Sequence, residues 1–525
     1  MGVIVQLRLL LILFIITAIQ GCDVPRADIS GKITYDNVPH SASTHGLDYS
    51  NTVRAPIRGV VVEAIENGSV IASSPVDNQG NYLMVIEMDK TIKLRVRSEL
   101  INSTEDQRRG SWNVKVVDNT NQKAVYVLES PEFKISKELL TKNLHAASGW
   151  NNSSYASTRS AAPFHILDRI YDILLKLEGL EQEINLPAIN LNWSVNNVPE
   201  FGDRTTGQIG TSFYQNGEIY LLGAENLDTD EYDGHVIIHE WGHFFEDVLA
   251  RSDSIGGPHA GGDRLDMRVA FGEGFGNAWA AIITDNPIYQ DSLSESQAGG
   301  FSIDVESNNN TNPGWYSEGS VQSILYDLYD QQTDGADNIQ LGLQPLFNIL
   351  IGPQKESEAF TSIFSFMTYM MDSQPQNKTE ISSLLAEQNI NSNIDIWGTN
   401  ETDNARETTV LPIYSELSVQ DKQSLCTSTT FGSAGNKLSN HRFLKLNVST
   451  AGNYTLRLTP KEKNDLDAYL YVKGERIAFT EDPGTDVVNL TADLPAGVAV
   501  VDTLAYNEAG TAIADACYDI ELLAN

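Results

Sequence analysis

The sequence predicts a multidomain protein in which a mixed α+β domain is flanked by two β-sandwich domains. Its 525 residues suffice for three or four domains at about 150 residues each. Near both ends, apolar and polar residues alternate with the period of two that is typical of half-buried strands. Between these ends, several stretches carry apolar residues at helical spacing. Hydrophobic residues make up 41% of the chain, which excludes a largely disordered protein.

The first 21 residues are predicted to be a signal peptide. Arg8 gives this segment a positive charge, and residues 9–19 are apolar but too few to span a bilayer comfortably. The segment ends in Ile19-Gln20-Gly21-Cys22, which resembles the lipobox of bacterial lipoproteins. This resemblance implies a lipid anchor at Cys22 and a place in the cell envelope, periplasmic or on the outer surface. The alternative is an ordinary secretory signal with a chance cysteine, and both place the mature chain outside the cytoplasm.

Residues 22–140 are predicted to form the first β-sandwich and a connector. Segments 31–35, 59–64, 80–85 and 92–96 alternate like strands and are separated by turn residues. The pattern resembles the carboxypeptidase-regulatory or transthyretin-like sandwich through Pro56-Ile57-Arg58-Gly59-Val60 and Asp77-Asn78-Gln79-Gly80-Asn81-Tyr82. Residues 98–140 are expected to add further strands before the middle region begins.

The middle region, residues 141–415, is predicted to contain a few strands followed by many helices. Residues 143–160 are rich in Ser, Asn and Ala, as linkers and surface loops are. Helical spacing of apolar residues then marks segments 164–177, 321–329 and 360–371. The segment 218–222 is predicted to be a strand, either at a sheet edge, where an extended peptide could pair with it, or in the core.

Residues 416–525 are predicted to form the second β-sandwich. Alternation returns in segments 443–448, 453–458, 467–472, 498–501 and 517–522. The order of Gly452-Asn453-Tyr454-Thr455-Leu456 and Asp465-Leu466-Asp467-Ala468-Tyr469-Leu470 resembles the pre-peptidase C-terminal domain of secreted bacterial peptidases. Apart from Cys22, the chain contains Cys426 and Cys517. In an oxidising compartment this pair favours a disulfide, and two buried free thiols are the alternative.

The motif His239-Glu240-Trp241-Gly242-His243 predicts a zinc site. On a helix, residues four apart lie about 40° apart around the axis, so His239 and His243 can reach one metal ion. Zn²⁺ takes imidazole nitrogens at about 2.0–2.1 Å. Glu240 projects beside the pair, where it can take a proton from an attacking water and pass it to a leaving amine. Asp233 stands where the helix would be capped.

A third protein ligand is required, and the best candidate is Glu273 in Gly272-Glu273-Gly274-Phe275-Gly276-Asn277. The combination resembles the gluzincin metallopeptidases, the thermolysin- and fungalysin-like enzymes with a zincin-like fold, in which a glutamate on a following helix completes the site. The resemblance implies that Asn277 orients a ligand histidine and that Tyr316 serves as the transition-state donor. A solvated carboxylate at Glu273 and a packing aromatic at Tyr316 are the alternatives.

Other candidate ligands are weaker. His235 lies on the same helix, but its side chain points too far from the other two histidines to share a tetrahedral ion. His259 lies in a glycine-rich loop. The carboxylates of Asp247, Asp263 and Asp266 are predicted to be solvated surface groups, because the chain is so acidic. A calcium site is only weakly indicated by the acidic turn of Asp327, Asp330, Asp334 and Asp337, because its spacing departs from the EF-hand loop.

The net charge of the chain restricts the classes of partner that it can bind. The chain has 70 acidic and 35 basic residues and a formal net charge of −35. Such a surface repels phosphate backbones, so nucleic acid is excluded as a partner. The sequence therefore predicts an extracytoplasmic zinc-dependent endopeptidase that acts on protein or peptide substrates, with Zn²⁺ as its cofactor. The alternatives are a cell-surface binding or adhesion lipoprotein with an inactive peptidase-like domain, and a hydrolase of non-peptide amides.

Overall fold

The computed structural model describes residues 24–102, 110–332 and 335–525. The predicted signal peptide, the lipidation site Cys22 and Asp334 of the acidic turn lie outside these residues. Within them, no helix combines the length and the apolar character that crossing a membrane requires.

The N-terminal part of the chain consists of short strands that form two packed sheets. In chain order the strands are β1 (Arg26–Asn37), β2 (Val53–Pro56), β3 (Val61–Glu66), β4 (Ser69–Pro75), β5 (Asn81–Glu87), β6 (Thr91–Arg97), β7 (Glu99–Asn102), β8 (Trp112–Asp118), β9 (Ala124–Val125), β10 (Val127–Glu129), β11 (Phe133–Lys134), β12 (Leu139–Thr141) and β13 (Leu144–Ala146). Strand β1 pairs with β2, β5, β12 and β13, and the facing sheet has the order β10-β6-β3-β4 with β11 also on β6. The predicted alternation is present, since Ile92, Leu94 and Val96 of β6 are fully buried.

Strands β7, β8 and β9 leave this sandwich and join the middle region. They pair in a mixed sheet with β14 (Ile189–Trp193), β15 (Phe213–Gln215) and β16 (Glu218–Leu221), in the order β15-β16-β14-β8-β7 with β9 on β8. These strands lie before the predicted boundary at residue 140. The apolar residues Val114 and Val116 of β8 are fully buried in the core that both regions share, which explains why the segment crosses over. The segment 218–222 was predicted to be either an edge strand or a core strand. Its strand β16 is paired on both sides, so it is an interior strand, and β15 forms the sheet edge.

The middle region is mostly helical. Its elements are α1 (Ala162–Glu178), β17 (Gly223–Ala224), β18 (Asp228–Thr229), α2 (Gly234–Val248), α3 (Met267–Thr284), β19 (Ile288–Leu293), β20 (Gly299–Asp304), α4 (Glu318–Asp327), α5 (Leu343–Ile351), α6 (Ile363–Ser373) and α7 (Lys378–Glu387). A small sheet of β17, β18, β19 and β20 lies beside α2 and α3. Helices α1, α4 and α6 overlap the segments predicted from periodicity. Helix α3 is buried along nearly its whole length, so it forms the centre of this region.

The C-terminal part is a second pair of packed sheets. Its strands are β21 (Tyr414–Ser418), β22 (Lys422–Thr427), β23 (His441–Val448), β24 (Gly452–Pro460), β25 (Asp465–Val472), β26 (Glu475–Thr480), β27 (Val488–Leu494), β28 (Gly497–Tyr506) and β29 (Ala516–Ala524). The sheet orders are β21-β23-β28-β25-β26 and β22-β29-β24-β27, and a separate apolar core lies between them. Cys426 on β22 and Cys517 on β29 face each other and form the predicted disulfide.

Candidate metal centre

Helix α2 carries both predicted histidine ligands, and a buried aspartate fixes its start. Asp233 occupies the predicted N-cap position, but its side chain makes no hydrogen bond within its own helix. Instead, its carboxylate accepts a hydrogen bond from the backbone N–H of Ser292 at 2.8 Å and lies 2.8 Å from His40 Nε2. The first turn of α2 is therefore held against strand β19.

Helices α2 and α3 approach each other closely at glycine residues. A Cβ atom on Gly242 would lie 3.5 Å from the Cα atom of Gly276, so both positions sit at the helix contact. The Trp241 and Trp279 rings stack beside this contact with a 6.2 Å centroid separation. Small residues at a helix crossing shorten the distance between the axes, which brings the side chains of α3 within reach of those on α2.

Gly276 also makes room for one of the histidines. A Cβ atom there would lie 2.7 Å from Cε1 of the His239 imidazole. No side chain fits in that space, so the His239 ring packs directly on the backbone of α3. Gly274, two residues earlier, makes similar room for α4, because its Cβ would lie 2.5 Å from Val321 Cβ. The run of alternate glycines therefore lets α3 pack tightly between two helices.

His239, His243 and Glu273 meet at one point between α2 and α3. The two histidine Nε2 atoms are 3.1 Å apart, and Glu273 Oε2 lies 3.3 Å from His239 Nε2 and 3.6 Å from His243 Nε2. Ligand atoms about 2.0–2.1 Å from a tetrahedral zinc ion are separated by about 3.3–3.4 Å. The three edges of this donor triangle match that spacing, so the residues fit a zinc ion with one coordination position left open.

A second layer of hydrogen bonds orients His239. Its Nδ1 atom donates to Asn277 Oδ1 at 2.9 Å, while Asn277 Nδ2 donates to the buried Gln322 Oε1 on α4 at 2.9 Å. In this arrangement the Asn277 amide oxygen faces the imidazole. His239 therefore carries its proton on Nδ1, which leaves the Nε2 lone pair directed at the donor triangle.

His243 has an equivalent partner, Glu246, which was not among the predicted site residues. Its Nδ1 atom lies 3.4 Å from Oε2 of Glu246, one turn further along α2, and Glu246 is 1% exposed. A buried carboxylate that accepts from a ligand histidine fixes the ring and makes it a stronger metal ligand. The signal was present in the sequence, since residues three apart on a helix are neighbours.

The charges at the centre favour a cation. Burial disfavours the charged form of Glu273, but His243, together with hydrogen bonds from His239, His243 and His259, holds the pKa of this carboxyl well below its usual range. Burial likewise opposes a charge on His243, while Glu273 and Glu246 hold the pKa of its imidazole well above the ordinary value. The charged Glu273 carboxylate and the nearby Glu246 thus give the centre negatively charged surroundings, which favour a bound cation.

His259, predicted to be a loop residue outside the site, lies close to the donor triangle. Its Nε2 atom is 3.2 Å from Glu273 Oε2, and its Nδ1 atom donates to Glu318 Oε2 at 2.8 Å. Although burial opposes its charge, these two carboxylates raise the pKa of His259 to about 10. The sequence position of His259 was an indication of this proximity, because the glycine-rich loop that contains it lies between the two helices that supply the donors.

The remaining candidates lie in different surroundings. Glu240 is 8% exposed and follows His239 directly on α2. His235 is one turn earlier, and its Nε2 atom lies 3.1 Å from the carbonyl oxygen of Asn286, away from the donor triangle. The Tyr316 hydroxyl donates to Asp403 at 2.9 Å. Tyr316 lines a pocket of about 740 Å³ with Arg264 and other residues, and this contact gives the predicted donor role no support.

The acidic residues named as rivals have partners of their own. Asp266 accepts from the backbone of Arg268 as the N-cap of α3, Asp263 pairs with Lys437 at 2.8 Å, and Asp247 accepts a hydrogen bond from Tyr214. In the acidic turn, Asp327 accepts from Asn308 at 3.1 Å. Within the described residues, the acidic turn is not among the clusters that place three ligand atoms within 4.8 Å of one another.

Comparison with known proteins links the middle region to peptidases. Residues 182–393 match the family model of the mycolysin C-terminal domain. This stretch includes His239, Glu240, His243 and Glu273, and the match associates it with a peptidase family. No curated protein sequence matches the chain.

Two solved structures show low similarity. The pre-peptidase C-terminal domain of collagenase from Bacillus anthracis is 10% identical with a TM-score of 0.17, over 21% of this chain and 93% of that domain. A cycloisomaltooligosaccharide glucanotransferase from Paenibacillus sp. is 9% identical with a TM-score of 0.14, over 94% of this chain and 72% of the enzyme.

Proposed function

We propose that the chain is an extracytoplasmic zinc-dependent metalloendopeptidase that hydrolyses peptide bonds in protein substrates. The observation that carries this proposal is the donor triangle of His239, His243 and Glu273, whose edges of 3.1, 3.3 and 3.6 Å suit one tetrahedral ion. The match of residues 182–393 to the mycolysin C-terminal domain supports it. The proposal also includes a lipid anchor at Cys22, which would keep the enzyme at the cell envelope.

In this proposal each residue near the centre has a distinct role. A zinc ion held by the three donors would polarise the peptide carbonyl and make water a stronger nucleophile. Glu240 would accept the proton of the attacking water and deliver it to the nitrogen of the leaving amine. Asn277 and Glu246 would hold the two imidazoles in their ligand orientation.

His259 is the better candidate for stabilising the oxyanion. Its ring is held by Glu318 on one side and lies 3.2 Å from Glu273 on the other, and its side chain is 31% exposed. With Glu273 bound to the metal, the Nε2–H of this partly exposed imidazole would be free to donate a hydrogen bond to the oxygen on which negative charge develops. The role predicted for Tyr316 would therefore fall to His259.

The test is the substitution Glu240→Gln in the full chain. Because the amide keeps the size of the side chain and removes the base, we expect one zinc ion per chain and a loss of about 10²-fold or more in kcat. Zinc content is measured by elemental analysis and cleavage with an internally quenched peptide library. Glu183→Gln, at an exposed position, is the matched control and should keep full activity. Unchanged cleavage by Glu240→Gln would contradict the proposal, as would activity that survives removal of zinc by a chelator.

A further inference from the structure

A second cluster of metal-ligating groups lies outside the donor triangle. Asp228 is the first residue of β18, Asp230 follows that strand, and Asp291 is on the neighbouring strand β19. One carboxylate oxygen from each residue lies within 4.8 Å of the other two. Strands β18 and β19 are paired at Asp228 and Leu293, so the backbone itself holds these carboxylates together.

The cluster is unusual because some of its carboxylate oxygens are buried and lack hydrogen-bond partners. Asp230 is 3% exposed, and its Oδ1 atom is buried without a hydrogen-bond partner, as are the Oδ1 atoms of Asp228 and Asp291. A buried oxygen that gives up its hydration without gaining a partner costs about 1–3 kcal/mol, and more when it is charged. Several such oxygens in one place indicate that a ligand satisfies them.

Neighbouring basic groups do not neutralise the cluster. Arg159 pairs with Glu231 and His40 pairs with Asp233, the adjacent acidic residues. Among the residues that the structure describes, no basic side chain forms a salt bridge with Asp228, Asp230 or Asp291. Three carboxylates in a partly buried site repel each other strongly unless a cation lies between them.

We propose that Asp228, Asp230 and Asp291 bind one calcium ion. Calcium takes oxygen ligands at about 2.3–2.6 Å, so two oxygens on one ion are at most about 4.6–5.2 Å apart, and the three carboxylates lie within that range. Magnesium keeps most of its water and accepts one or two carboxylates, which fits three acidic ligands less well. Asp228 and Asp291 are half-buried, so water can reach the ion and complete its coordination.

The calcium ion would link the segments next to α2 and α3, the two helices that carry the donor triangle. Asp230 is three residues before Asp233, which starts α2, and Asp291 lies on the strand that follows α3. Asp233 already contacts Ser292, the neighbour of Asp291. Calcium at this cluster would therefore stabilise the relative position of α2 and α3. The inference does not rest on the proposed peptidase activity, because it uses other residues and another metal.

The test is calorimetric titration of the zinc-loaded full chain with calcium chloride in calcium-free buffer. We expect one site with a Kd of about 10⁻⁴ M or tighter, and a rise of a few degrees in Tm at saturation. Asp291→Asn, at the half-buried position, should abolish both signals. It should also melt at a higher temperature than the native chain without calcium, because it removes a repelling charge. Asp230→Asn provides the same test at the buried position.

Control variants make the outcome decisive. Asp304→Asn, an exposed carboxylate at the end of β20, and Asp330→Asn in the acidic turn should keep the calcium response. Glu240→Gln should keep it too, so failure of the peptidase proposal leaves this inference intact. Calcium binding that survives in both Asp291→Asn and Asp230→Asn would overturn the site, and so would the absence of any calcium-dependent heat. Tighter binding of magnesium than of calcium would overturn the assignment of the ion.

Discussion

At the scale of single residues, the candidate metal centre depends on neighbours that lie outside the donor triangle. Asn277 determines which nitrogen of His239 carries the proton, and Gly276 leaves the space in which that ring lies. Glu246 performs for His243 the role that Asn277 performs for His239. Since ligand orientation decides metal affinity, substitutions at these positions should change zinc binding without changing the ligands themselves.

Asn277→Ala removes the acceptor from His239 Nδ1. Second-layer losses of this kind cost about 10–100-fold in metal affinity, so we expect the zinc Kd to rise by that factor. Competition with a chromogenic chelator measures it. Asn277→Asp keeps an oxygen acceptor at the same place and should restore most of the affinity. Equal zinc affinity in the alanine variant and the native chain would contradict this role.

Gly276→Ala places a methyl group 2.7 Å from the present position of His239 Cε1. The ring must move, so we expect zinc affinity to fall at least tenfold, although alanine itself favours the helix by about 1 kcal/mol. Gly261→Ala is the control, because a Cβ there would have no atom within 4 Å. The same chelator competition compares the two variants, and equal affinities would show that the ring tolerates the methyl group.

At the scale of elements, helix α3 connects the candidate metal centre to the C-terminal sandwich. Arg268 in its first turn is 1% exposed and pairs with Asp266 and with Asp502 of β28, each at 2.9 Å. The guanidinium also lies 4.8 Å from the Phe360 and Phe443 ring centres. Glu273 is five residues further along the same helix. The sandwich therefore helps to hold the helix that carries the third donor.

Arg268→Met should destabilise the protein by about 3–5 kcal/mol, because it leaves buried carboxylates without their cation. Arg268 and His441 outweigh burial and hold the pKa of Asp502 below its ordinary value. A depressed carboxyl pKa stabilises the fold above the unfolded-state pKa of about 4, and this contribution is lost as the pH falls through the folded-state pKa. The difference between variant and native chain should accordingly be full at pH 7 and shrink under acid conditions.

Urea unfolding at several pH values measures this difference. Arg457→Met is the matched control, since its ion pair with Glu521 is exposed and such pairs contribute less than about 1 kcal/mol. A loss at Arg268 no larger than the loss at Arg457 would show that the buried pair does not stabilise the helix.

At the scale of the whole molecule, the three predicted regions are joined in different ways. Strands β7, β8 and β9 complete the mixed sheet of the middle region, and the N-terminal and middle regions share one apolar core. The C-terminal sandwich has a core of its own. It is closed by the disulfide between Cys426 and Cys517, which are 91 residues apart in sequence.

Replacing both cysteines by serine should lower the stability of the C-terminal sandwich. In the chain-entropy model, a crosslink over this separation contributes about 4 kcal/mol, so we expect a clear drop in the Tm of that sandwich with unchanged zinc content. Reduction of the native chain is the control and should produce the same drop. Two titratable thiols in protein secreted under oxidising conditions would contradict the bond in solution.

Features that depend on local periodicity could be predicted from the order of the residues alone. The spacing of His239 and His243 requires only a helix, and the alternation in β5, β6 and β23 requires only that one face be buried. The pairing of Cys426 with Cys517 followed from the number of cysteines. Helix α1 and the second sandwich were predictable for the same reason.

Contacts between groups that are distant in sequence could not be predicted in this way, because they depend on how the whole chain folds. His259 reaches Glu273 because a loop folds back over α3, and Asp228, Asp230 and Asp291 converge because β18 pairs with β19. The crossing of β7, β8 and β9 into the middle sheet is of the same kind. Such contacts join residues tens of positions apart, and their formation depends on loop closure and core packing, which leave no periodic trace in the order of the residues.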